Sequence, residues 1–335
     1  MHLKTGVKDV AKDLCYYLGV PQFLLRYSNF LKSPKLLILN YHRVCSSFKK
    51  NEYLGISAGI FEQHIRFLKD NFKMVSMQDG LRLLHAGNSG KNYAAINLDD
   101  GYMDNYLYAY PILKKYNVPA TIFLITDFIG KDHIFWWDRV FNAVFSIKSG
   151  DADIDMGTNI IYSKLNDISE KIKLANRINK ILANKPADEI ERFVAALEKK
   201  FTSIKEITSC LMLGWKEIRE MNQNGISFGS HTKTHSNLCL LKDSEALEEL
   251  MDSKKVIEQN LRTENCAFCY PFGAFDERIK SLVQRAGFRH ARSTLKGFNN
   301  RNSDRLTLAS IGAETLSKAS FLANRIAFTL MHEKE

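Results

Sequence analysis

Two adjacent carboxylates, Asp99 and Asp100, stand between an apolar run and a glycine in "AAINLDDGYMDNY", residues 94–106. Like charges side by side repel, so both are tolerated at the mouth of a hydrophobic segment only for a reason. A metal ion is one reason, because it takes one carboxylate as a ligand and leaves the other free as a base. Further ligand types recur along the chain. His231 and His235 make a His-x-x-x-His pair in "SHTKTHSN", and His42 follows "LLILNY". A tight Pro-Phe-Gly turn, with Phe272 at its centre, follows "CAFCY". Singly, each piece has a plainer reading: a turn with a helix cap, a solvated helix face, a hydrogen-bonded strand end. Together they offer one Asp and two His as ligands, a second Asp as base and a third His as acid. That set leaves coordination positions open, which marks a catalytic rather than a structural metal.

Such groups are useful only if the chain gathers them. Short apolar, β-branched runs at 36–41, 94–98, 120–125, 225–229, 266–270, 288–292 and 306–311 read as strands. Between them, 61–72, 105–116, 246–261 and 277–287 space apolar residues three and four apart, as amphipathic helices do. The alternation predicts an α/β fold with a parallel sheet, open or closed into a barrel. Its chemistry sits at the C-terminal ends of strands, which in such folds open on one face. Residues 131–215 break the rhythm and read as a helical insertion. Residues 1–34 read as a helical segment and 313–335 as a helical tail, flanking a main domain over 35–312.

Of the 335 residues, 45% are hydrophobic, enough for a sizeable core, and the net charge is +10. The basic residues are dispersed, which favours an acidic partner such as a phosphorylated sugar carrier or an anionic membrane surface. No recognition helix, zinc finger or aromatic RNA-binding motif supports nucleic acid. Packing on the domain is the default role of the first thirty residues, with peripheral membrane contact the alternative. Six scattered cysteines, no unbroken apolar leader and no run of roughly 20 apolar residues predict a cytoplasmic protein with reduced thiols. "CAFC" lacks the second CxxC pair of a zinc site.

In order along the chain, "NLDDG", "HTKTH" and "YPFG" resemble three motifs of the polysaccharide deacetylases, the NodB-homology group of carbohydrate esterase family four. The opening "ILNYHRV" and the following "ISAGIFEQHIRFLKDNFKMVSMQDGL" are similar to the branch with a Tyr-His motif. The resemblance runs from about residue 36 to 312. It implies a distorted (β/α) barrel and hydrolysis of N-acetyl groups on amino sugars. It also implies one divalent metal on Asp100, His231 and His235, Asp99 as general base, His42 as general acid, and the Phe272 N–H in the oxyanion hole. Zinc is the first expectation, and Co, Ni, Fe or Mn also suit one oxygen and two nitrogen ligands.

Two motifs depart from the family. Cys269 stands where many relatives carry an arginine that orients the base. The C-terminal Leu-x-Leu-His motif has no counterpart beyond "LMHEKE" at His332, which turns the acid role towards His42. In "FWWD", Trp136 and Trp137 are read as a stacking face for a sugar ring and Asp138 as an acceptor for its hydroxyls; alternatively the indoles anchor the insertion. The implied substrate is an N-acetylated amino sugar, nucleotide- or lipid-linked, of a surface polysaccharide or glycolipid pathway. A carbohydrate-binding pseudoenzyme and an amidase on a non-sugar acyl amide are the competing readings.

Overall fold

The computed structural model describes residues 10, 12–31, 34–46, 55–86, 92–157, 160–201, 211–264, 267–313 and 318–332. Its strands in chain order are β1 (Leu36–Tyr41), β2 (Arg43–Cys45), β3 (Gly55–Ser57), β4 (Lys73–Met74), β5 (Tyr93–Leu98) and β6 (Ala120–Leu124). There follow β7 (Gly150–Asp155), β8 (Ile160–Leu165), β9 (Ile226–Ser230), β10 (Ala267–Cys269), β11 (His290–Arg292) and β12 (Ile311–Gly312).

The main sheet runs β11-β10-β9-β6-β5-β1-β12, with β4 also paired to β5. Each of these pairings is parallel. β1 and β5 are the longest matched pair, from Leu36 opposite Tyr93 to Tyr41 opposite Leu98, and every residue of both is buried. Burial on both faces explains why they read as unbroken apolar runs rather than alternating ones.

The sheet curls back on itself. Leu308 bridges to Arg292 beside β11, and Ile311 pairs with Leu39 of β1, so residues 308–312 span the gap between the two outer strands. This is the expected distorted (β/α) barrel, and the distortion falls where the run 306–311 yields a strand only at Ile311–Gly312.

The expected helices form at Ala58–Asn71, Asp243–Leu261 and Glu277–Arg285. Asp276 caps the last by accepting the Ile279 N–H at 2.7 Å. The run at 105–116 starts as a π-helical turn, Asn105–Ala109, before continuing as α-helix to Tyr116. The C-terminal helix, Ala319–Met331, packs on the body through Leu322, Ala323, Ile326 and Leu330.

Between β6 and β9 lie the helices Trp136–Ser146, Ile168–Leu182 and Ala187–Phe201, with an antiparallel hairpin of β7 and β8. The hairpin is an addition to the helical insertion expected over 131–215. Its residues Ala152, Ile154, Ile161 and Leu165 turn inwards in alternation and share an apolar cluster with Phe141, Val144, Ile178 and Val194. The chain then returns to the barrel at Leu211–Leu213, where the Leu213 N–H donates to Gly101 O at 2.9 Å. Cys210 and Cys266 lie outside the described residues; Cys15, Cys239 and Cys269 are free thiols.

Candidate active site

Because the strands run parallel, the residues that follow them meet at one rim. Asp99 leaves β5 with its N–H donating to Tyr41 O at 2.9 Å, which fixes the start of the acidic pair beside the end of β1. His231 leaves β9 with its N–H on Leu124 O of β6, also at 2.9 Å. The histidine pair lies in a loop, not on a helix face. Thr232 Oγ1 accepts the His235 N–H at 2.9 Å, and Glu249 collects the Lys233 and Thr234 N–H groups at 2.9 Å each.

Four non-glycine residues here hold positive φ: Asp100 (72°), Thr232 (65°), His235 (65°) and Phe272 (58°). That conformation is costly for L-residues and, among the described residues, otherwise occurs only at Asn117 and Arg262, which end helices. Gly273 has no freedom to be anything larger. Its φ is 68°, and a Cβ there would lie 2.1 Å from Thr294 Oγ1.

Asp100 Oδ1 lies 3.5 Å from His231 Nε2 and 3.6 Å from His235 Nε2. Ligands about 2.1 Å from a tetrahedral centre stand about 3.4 Å apart, so Asp100 stands at ligand spacing from both histidines, and the three residues offer ligand atoms within 4.8 Å of one another. Two further facts fit. Buried Asp100 Oδ1 has no hydrogen-bond partner, and His231 Nδ1 is 2.7 Å from Cys269 O. Donation from Nδ1–H to that carbonyl turns the Nε2 lone pair of His231 towards Asp100.

Burial pushes the Asp100 carboxyl up to about 7, with Asp99 and Asp138 adding to the rise. It depresses His231 to about 4 and His235 well below the usual histidine range. Neutral imidazoles facing a reluctant carboxylate are a set that a divalent cation would hold ionised. Asp99, His231 and Cys269 also cluster, but Arg292 already places a cation there, and His231 is shared.

Sequence reasoning missed Arg292. It is 2% exposed, lies opposite Cys269 in the β10–β11 register, and donates from Nη2 to Asp99 Oδ2. The neighbouring strand thus supplies Asp99 with the cation that position 269 does not. A charged residue inside the short run "FRHAR" was the available signal. Burial raises the Asp99 carboxyl, but Arg292, His42 and His231 outweigh it and hold it below its ordinary value. Burial keeps Cys269 a neutral thiol, well above its usual range.

His42 Nε2 stands 3.7 Å from Asp99 Oδ2, on the same rim and partly exposed. Its carbonyl accepts Asn105 Nδ2 at 2.8 Å, a contact set by the π-helical turn. The Phe272 ring stacks edge-on to His235 at 4.6 Å, and among the described residues nothing accepts the Phe272 N–H. His332 stands apart: it is exposed, stacks on Phe328 at 3.9 Å and donates to Phe328 O.

The "FWWD" residues separate. Trp136 lines the pocket and is half-buried. Trp137 lines it too, but is buried, stacks on Phe135 at 4.4 Å and donates to Tyr102 Oη at 3.0 Å. Asp138 corrects the expectation of a sugar-facing acceptor. It is 5% exposed, does not line the pocket, and accepts the Tyr102 hydroxyl at 2.8 Å. The pocket holds about 430 Å³. One wall is the insertion: Asn176, Asn179, Lys180, Ala183 and Asn184, on one face of the helix Ile168–Leu182 and its C-terminal turn.

The family described as polysaccharide deacetylase matches residues 86–291, more than half of the chain. YxkH of Bacillus subtilis (strain 168) is 24% identical over 273 residues, covering 81% of this chain and 68% of its own length. The poly-beta-1,6-N-acetyl-D-glucosamine N-deacetylase of Staphylococcus aureus (strain MRSA252) is 25% identical over 283 residues, 77% of this chain and 72% of that protein. The Streptococcus pyogenes deacetylase PplD, solved in complex with acetate, matches with TM-score 0.59 at 20% identity, covering 88% of this chain and 99% of that one. That likeness is one of fold.

Proposed function

The chain belongs to the polysaccharide deacetylase family, and from that premise we propose that it hydrolyses the N-acetyl group of an amino sugar in a metal-dependent reaction. The observation that carries the reading is the Asp100–His231–His235 triad, with its spacing of 3.5 and 3.6 Å, beside a second carboxylate held by a buried arginine. Asp100, His231 and His235 would hold one divalent cation, zinc first and Co, Ni, Fe or Mn next. When bound, it supplies Lewis acidity that lowers the pKa of water and polarises a carbonyl.

The chain's own groups account for the proton traffic. Asp99, oriented by Arg292, accepts a proton from the attacking water as its oxygen bonds to the acetyl carbon. The Phe272 N–H meets the developing oxyanion. His42 protonates the sugar nitrogen as the C–N bond breaks, releasing acetate and a free amine. Trp136 offers the sugar ring an apolar face.

The finer reading is a cytoplasmic enzyme acting on a nucleotide- or lipid-linked sugar of surface glycan biosynthesis. Lys180 supports it. This cation lines the pocket and has no carboxylate partner among the described residues, so it is placed to meet a linking phosphate. We divide the chain into a helical segment (1–34), a catalytic domain (35–312) interrupted by the 131–215 insertion, and a helical tail (313–335).

The test is mass spectrometry of zinc-loaded protein incubated with N-acetylated nucleotide sugars, lipid-linked sugars and neutral oligosaccharides. Loss of one acetyl group with release of acetate is expected. It should fall by roughly 10²- to 10⁴-fold in Asp99→Asn, whose amide cannot take the proton. Wild-type turnover in that variant, or full metal retention in His231→Ala/His235→Ala, would overturn the reading.

A further inference from the structure

The two ends of the chain carry apolar residues on the side where a helix bathed only in water carries polar ones. Residues 12–17 are helical, Gly19 turns the chain at φ 75°, and a second helix follows at Val20–Leu31. One face packs inwards: Tyr16 meets the Phe67 ring at 6.1 Å, and Leu25 is buried. The opposite face is apolar too. Val10, Leu14, Tyr17 and Leu18 recur at helical spacing, as do Val20, Phe23 and Tyr27, and all are exposed, Tyr17 by 82% and Phe23 by 66%. The C-terminal helix lies against Val20–Leu31 and adds exposed Phe328 and Met331. Nine of the seventeen large apolar side chains exposed among the described residues therefore belong to these terminal segments. Such a concentration marks an interaction surface. A groove of about 700 Å³ runs through it, lined by Val20, Leu24, Phe328 and Met331 together with Lys12 and Arg325.

Charge selects the occupant. Residues 1–35 contain six Lys or Arg and two Asp. Asp13, the acid within the described part, is taken up by Lys318 at 2.7 Å and by Ser320. The surface is thus apolar and aromatic with a basic sequence around it. That is the composition of helices that lie in a membrane interface, with rings at the headgroup level and lysines on lipid phosphates. A second copy of the same face would bring like charge against like. Among the described residues no helix is long and apolar enough to cross a membrane, so contact is by docking.

We propose that this face docks on an anionic lipid bilayer, an inference independent of the deacetylase chemistry. The test is flotation of the full chain with phosphatidylcholine vesicles, with and without phosphatidylglycerol. Binding to the anionic vesicles, weakened by salt, is expected. Tyr17→Ser/Leu18→Ser/Phe23→Ser should lower the partition coefficient about tenfold or more, since binding scales with buried apolar area. Phe328→Ser/Met331→Ser, on the other helix, should lower it as well, which guards against misfolding of the first variant. Absent binding by the wild type, equal binding to neutral vesicles or undiminished binding by both variants would overturn the proposal. So would a vesicle-free dimer that the triple variant dissolves.

Discussion

Asp99 and Arg292 are 193 residues apart in sequence and bonded in the fold. That separation explains what could be read in advance and what could not. Asp99, Asp100, His42, His231 and His235 each follow an apolar run, so strand periodicity and a shared rim were enough to group them. Arg292 carries no such mark, because its role depends on β11 lying beside β10 with Arg292 opposite Cys269. Register between distant strands is not written in local periodicity. The pairing has an energetic consequence. Both groups are buried, so removing the arginine leaves an uncompensated carboxylate, at a cost of about 3–5 kcal/mol. Arg292→Met should therefore unfold at lower urea concentration than wild type. Adding Asp99→Asn to it should recover much of the loss, because the orphaned charge is gone. Urea titration of the four proteins of the cycle measures the coupling; additive losses would mean that the pair does not interact.

The strand that supplies Arg292 also buries a histidine. His290, 6% exposed on β11, is depressed to about 4 by burial and by the nearby Arg305 and Arg289 charges. In the unfolded chain a histidine titrates near ~6.5. Below that pH the unfolded state binds a proton that the native state refuses, so stability is present above about 6.5 and drains as pH falls towards 4. With the native value near 4 the full window is worth roughly 3 kcal/mol. His290→Gln lacks the titration. The wild-type advantage over that variant should shrink between pH 7 and 4.5, which urea unfolding at the two values would measure; a constant difference would place the proton elsewhere. At this scale the strands and most helices of the barrel were legible from apolar spacing. The hairpin of β7 and β8 was not, since its sequence mixes acidic, small and aliphatic residues and turns apolar only on its inner face.

The barrel and the insertion make one site between them. The barrel supplies the triad, Asp99 and His42, and the insertion supplies Trp136 and the asparagine-lined wall with Lys180. Two contacts hold that wall in place. Asn237 Nδ2 donates to Ala183 O at 2.8 Å, and the Trp137 ring meets the His235 ring at 4.5 Å, tilted by 53°. The sequence offered the two indoles as a pair, with sugar platform and anchor as rival roles, because adjacency says nothing about how deeply each ring is buried. Both rings line the pocket, but neighbours on a helix point about 100° apart, so Trp136 stays half-exposed while Trp137 is buried against Phe135 and His235. Trp137→Ala should then lose about 3–5 kcal/mol of stability, through the cavity it opens beside Phe135 and the hydrogen bond it removes from Tyr102. Trp136→Ala, from a half-buried ring that lines the pocket, should leave the melting temperature nearly unchanged. Its effect should fall on KM, by roughly tenfold if one stacking face is lost. Calorimetry and steady-state kinetics on the two variants decide the matter, and a Trp136 variant that melts early with unchanged KM would return both indoles to the role of anchor.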